Sequence, residues 1–202
     1  MHETAHLPVG SSLTQRGTPL HVAELVLLLL RSTFAELPAD DPHRYSSRFE
    51  DTRIAFDVAL NKESAIYGKK PLVVVSRGST STQPAALGDT ASLSLPTLHA
   101  HKTMLIHSSV NVRVLSRAKA ECEAVSQRVF DFLMQYRMLL PKYLGIHQAE
   151  AIQMSEVQKF EQDDEMFLTL LTFSFLQQPT WTQEAVAPVL RAASIVLGVK
   201  PA

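Results

Sequence analysis

The stretch Val110–Leu133, VNVRVLSRAKAECEAVSQRVFDFL, decides the fold. It changes period in the middle. Val110, Val112 and Val114 alternate with Asn111 and Arg113, the two-residue period of a strand with one apolar face. After Ser116 the spacing becomes helical: Cys122, Val125, Val129, Phe132 and Leu133 fall on one side, and Tyr136 and Leu140 continue it. Ser116 reads as the helix cap, Glu121 and Glu123 suit its positive end, and Pro141 stops it. A helix of that length spans roughly 35 Å, enough to cover a sheet.

Upstream, Thr18-Pro19 reads as an N-cap and first helical residue, predicting a helix from about Pro19 to Glu36 with a wide apolar face. Arg53 to Leu60 reads as a loosely alternating strand, with a helix left open by its alanines, and Asn61 to Lys70 as a polar connection. Pro71 to Ser76 is a strand dense in β-branched residues. Downstream, Ala151 to Phe160 and Met166 to Leu176 read as a hairpin around the acidic turn Glu161–Glu165. Trp181 falls in a polar linker, and Ala187 to Val199 reads as a short closing helix or edge strand. The fold class expected is α+β: a twisted, mainly antiparallel sheet flanked by helices, with a long loop or arm. Residues 1–17 are expected as a flexible tail and 18–202 as a single domain, with 79–101 as the arm.

Composition bounds the function. The chain has 202 residues, 46% apolar and 19% charged, in the ordinary globular range. Its formal net charge of −1 argues against a surface that grips DNA phosphates broadly. With Cys122 alone, the chain builds no disulfide framework and no cysteine zinc site. The N-terminus has no basic region followed by an apolar core, and the most apolar run, Val22 to Leu30, is too short to span a bilayer. The expectation is a soluble protein of a reducing compartment.

The residues that resemble chemistry have plainer readings. Ser76-Arg77-Gly78 ends a strand and opens a Ser/Thr-rich loop, as phosphate loops do. It lacks the second glycine, the lysine and the following helix, and no dinucleotide fingerprint is present. His99, His101 and His107 share parity along an extended segment, but no matching ligands follow. Ser108, Ser109 and His147 belong to no nucleophile elbow. Asp40-Asp41 and Asp163-Asp164 read as solvated turn carboxylates, and Cys122 as a small buried hydrophobe. The expectation is no enzyme: no catalytic, cofactor-binding or metal residues, and no cofactor.

The order of elements (leading helix, PLVVVSRG strand, long loop, VNVRVLSRAKAECEAVSQRVFDFL strand-helix unit, antiparallel hairpin) resembles the tail terminator proteins of long-tailed bacteriophages. These are also called tail-completion or head-tail joining proteins. The similarity runs from about Leu20 to Leu176. It implies a structural virion protein of the tail-neck region, assembled in the host cytoplasm. Such proteins form hexameric rings that cap the tail tube and meet the neck or head-completion protein, and DNA passes through the lumen without specific binding. The implied partners are therefore further copies of the chain, a tail tube protein and a neck protein, with no membrane.

Ring subunits need interfaces that close. Candidate subunit or tail contacts are Ser79, Thr82, Leu87, Leu93 and Leu95 in the loop, and Asn111 and Arg113 on the wet strand face. The acidic residues Glu161, Asp163, Asp164 and Glu165 are candidate DNA-channel lining. The alternatives are another neck or tail ring component (a stopper, tube or sheath-attachment protein), a small soluble enzyme, or a ligand-binding domain.

Overall fold

A computed structural model of the chain describes residues 19–48, 50–58, 70–84, 90–94, 99–139, 141–142, 146–161 and 163–184. The elements are α1 (Pro19–Ala35), β1 (Ala55–Asp57), β2 (Leu72–Pro84), β3 (Thr90–Ser94), β4 (His99–Ser116), α2 (Lys119–Tyr136), β5 (Gln148–Met154), β6 (Gln158–Phe160), β7 (Asp163–Gln177) and β8 (Thr180–Glu184). The fold is α+β, with a mixed and mostly antiparallel sheet flanked by helices, as the change of period at Ser116 implied. The chain divides into two compact units: residues 16–81 with 107–177, and residues 1–15, 82–106 and 178–202.

The larger unit holds both helices. Its strand order is β1-β2-β4-β7-β5, with β6 also on β7. β1 runs parallel to β2, with Ala55 opposite Leu72. Ser79 meets Ser109 and Thr80 meets Ser108, so β2 and β4 run in opposite senses. β5 and β6 pair antiparallel with successive parts of β7, and the register shifts between Ala149 and Ile152. They act as one interrupted edge strand.

One face of the sheet carries the main core. Val73 and Val75, the valines 110, 112 and 114, and Leu171, Phe173 and Phe175 pack there. Both helices close over them. α1 contributes Val22, Val26, Leu30 and Phe34; α2 contributes Cys122, Val125, Val129 and Leu133. Pro19 supplies the preset φ of a first helical residue, and Pro38 lies just beyond the end of α1.

The opposite face has a small core of its own: Ala55, Leu72, Val74, Leu115 and Met166. This is why Leu72 to Val75 reads as a continuous apolar run, since a strand covered on both faces has no wet positions. It also corrects the expectation of a wet face on β4. Asn111 and Arg113 are half-buried, and Leu115, which shares their parity, is fully buried.

Several other boundaries differ from the sequence reading. The expected strand 53–60 is only three residues long, Ala55–Asp57. Ala118, not Ser116, stands at the N-cap of α2 and makes no side-chain cap bond. Ser116 instead accepts a hydrogen bond from the Ala118 N–H (3.2 Å) and donates to Glu121. α2 ends at Tyr136, so Met138 is left 86% exposed.

Within 79–101, expected as a loop or arm, the described residues are strand. β2 continues to Pro84, β3 follows, and β4 begins at His99. In the smaller unit β4 is central: Ser94, Leu93 and Ser92 of β3 oppose His99, Ala100 and His101, and β8 pairs on its other side from Glu184 to Thr180. Trp181, read as part of a linker, lies in β8 opposite Lys102. The expectations for residues 1–17, 61–69 and 187–199 lie outside the described residues.

Candidate functional site

Among the described residues, the irregular segment between α1 and β1 is held by many internal hydrogen bonds. Long connections with this much internal structure are commonly functional. The Tyr45 N–H donates to Phe34 O at the end of α1, and the Arg53 N–H to Arg44 O, each at 3.0 Å. Thr52 Oγ1 accepts from the Ser46 N–H (3.1 Å) and donates to Ile54 O (2.7 Å). Arg53 Nη1 donates to the backbone carbonyls of Asp40 and Asp41, at 2.8 and 2.9 Å, which fixes its guanidinium. The Tyr45 and Phe34 rings each meet Phe56 edge-on at 5.4 Å, and Arg31 lies 5.9 Å over Tyr45. An open cleft of about 500 Å³ results, lined by Ala35, Ala39, Arg44, Tyr45, Ser46, Ser47, Asp51 and Arg53.

A polar clasp holds this segment to α2. The Asp41 carboxylate accepts from Arg128 Nη1 at 2.8 and 3.0 Å and from the His43 N–H at 2.8 Å. The Arg128 hydrogen bond holds the Asp41 carboxyl below the usual carboxylate range, against the opposing effect of burial. His43 is 7% exposed, with Nε2 3.8 Å from Glu121 Oε1. Burial lowers its pKa first and Arg128 adds to that, while Glu121 and Asp41 pull the other way. Its Nδ1 and the Nε of Arg31 are buried without partners among the described residues. Sequence reading took Asp40-Asp41 as solvated turn carboxylates, and that is corrected here: Asp41 is a clasp residue. Its partner stands 87 positions away, so no local pattern signals it.

The Ser116 hydroxyl is directed at Glu121. Cys122 lies against Val114 O and Thr169 Oγ1, each 3.4 Å from Sγ, and burial pushes its thiol pKa up, which disfavours the thiolate. Among the described residues no three His, Cys, Asp or Glu side chains group to hold a metal ion. His107 lies 3.4 Å from Glu150. No described helix is long and apolar enough to cross a membrane.

The described residues singled out from sequence fall in several elements. Ser79, in β2, contacts Ser109 Oγ at 3.3 Å. Thr82, further along β2, is exposed. Leu93 occupies β3 opposite Ala100. Leu87 and Leu95 lie outside the described residues. Asn111 accepts a hydrogen bond from Thr172 Oγ1 at 3.3 Å, and Arg113 lies beside it on the same face of β4. Glu161 is exposed in the β6–β7 turn, Asp163 and Asp164 begin β7, and Glu165 lies 3.8 Å from Arg117. No protein-family model matches the chain. No curated protein matches it either.

Proposed function

We propose that this chain is a structural subunit of a phage virion. On this reading it forms a hexameric ring that caps the tail tube and joins it to the neck or head-completion protein, with DNA passing through the lumen. The reading rests on the order of elements and on one structural observation. Residues 82–84 of β2 and 99–106 of β4 belong to the smaller unit, whose described elements are all strands. The Ser79–Pro84 part of β2 is exposed throughout and carries no charge. A strand segment without charge suits contact with neighbouring copies or a tube, because no charge is desolvated on binding. The role needs no cofactor and no catalytic residue. Negative-stain microscopy of the purified chain at high concentration tests it: closed rings with a central hole are expected, and dispersed single particles would oppose it.

A further inference from the structure

We propose that the arginine-lined cleft at one lateral edge of the helix-flanked unit receives the acidic β6–β7 turn of a second copy, joining copies head to tail. The inference rests on the ring reading and supplies it with an interface.

The strand order places the two features apart. The cleft belongs to the segment that leads directly into β1, one edge of the sheet. The turn at Glu161 joins β6 to β7, and β6 with β5 forms the other edge. Both features lie at the same end of the sheet. β1 and β2 start together, with Ala55 opposite Leu72. β4 ends there and β7 starts there: Leu72, Leu115 and Met166 share one cluster, and Arg117 lies 3.8 Å from Glu165. Counting from β1 through β2, β4 and β7 to β6 gives four strand spacings, roughly 19 Å. That span keeps the cleft and the turn of one chain apart. In this contact Glu161 at the tip of the turn meets the cleft of another copy, while Glu165 also lies 3.8 Å from Arg117 of its own chain. Unlike patches on opposite edges define a heterologous contact, the kind that closes into a ring.

The chemistry is complementary. Arg53 is pre-oriented by two backbone carbonyls, which leaves its other N–H groups for an acid. Arg44 is exposed, and its side chain has no acid partner among the described residues. Ser46 and Ser47 add hydroxyls, and Asp51 is the single acid in the lining. The turn offers Glu161, Asp163, Asp164 and Glu165 within five residues. It then serves as a subunit contact in place of a channel lining.

The test is a charge exchange at two exposed positions, Arg44→Glu and Glu161→Arg, read by light-scattering mass against concentration and salt. Each single variant should raise the concentration needed for assembly at least about tenfold, and rising salt should weaken the wild type. The double variant, or a 1:1 mixture of the singles, should restore assembly. Should Arg44→Glu fold poorly, Arg44→Ala should give the same loss to a lesser degree. Rings of wild-type size from both single variants, or no restoration in the double, would overturn this interface and leave the ring reading standing. A wild-type chain that stays monomeric at every concentration would overturn both.

Discussion

The Asp41 carboxylate accepts two hydrogen bonds from Arg128 Nη1, at 2.8 and 3.0 Å, across 87 residues of sequence. This pair fastens the segment between α1 and β1 to the middle of α2. Arg128 is 41% exposed, so the pair belongs near the range of surface ion pairs. Arg128→Ala should cost about 1 kcal/mol, read as a lowered urea midpoint at constant m-value. Its pH signature follows from the lowered Asp41 pKa. The stabilisation is fully present above the unfolded value near 3.8 and is lost as pH falls through the folded value. Arg128→Ala should therefore narrow the gap in stability between neutral and strongly acid conditions.

His43 titrates in a different window with the same sign. Its folded pKa is lowered from 6.5, so between the folded value and 6.5 the unfolded chain binds more protons. Stability is full above 6.5 and falls as pH drops below it. Melting temperatures measured from pH 7.5 to 5 should decline for the wild type. The slope should flatten in His43→Gln, which carries no ionisable group. An equal slope in both would show that the imidazole is not the titrating group.

Gly78 has no room for a side chain. A Cβ there would stand 2.2 Å from Ser109 Oγ and 3.2 Å from the Asn111 amide atoms. Gly78→Ala should destabilise by roughly 1–3 kcal/mol through overpacking. Ser109→Ala in the same chain should recover part of that loss, so the double-mutant cycle should give a favourable coupling. Strict additivity would contradict the close approach of β2 and β4 at this point.

Val129 is fully buried among helix and sheet side chains. Val129→Asp places an unpaired charge there and should cost several kcal/mol, of order 3–5, enough to abolish cooperative unfolding. Val129→Ala, at roughly 1–2.5 kcal/mol, should stay folded. Thermal circular dichroism on the two variants separates these outcomes.

The elements legible in the sequence are those with a regular apolar pattern or an unbroken apolar run. Val110, Val112 and Val114 marked β4, and the 3.6-residue spacing of Cys122 to Leu133 marked α2. β2 was legible only to Ser76. Beyond it the side chains are polar and exposed, so no alternation marks the strand as far as Pro84. β8 was missed for a related reason: Thr180–Glu184 is polar around Trp181, and what holds it in place is its backbone pairing with Lys102 and its neighbours. The clasp was illegible because its members come from an irregular segment and from α2. Asp41 and His43 reveal nothing until Arg128 and Glu121 are beside them. The alternation that places Asn111 in a strand was legible, but its half-burial and its hydrogen bond from Thr172, 61 residues away, were not.

The most direct test of the account is the solution mass of the full chain by multi-angle light scattering, measured across a wide concentration range. Six copies of the 22.4 kDa chain make about 134 kDa, and the ring reading expects a plateau there, with salt shifting its onset. A mass that stays at 22.4 kDa throughout, in a chain shown to be folded, would contradict it.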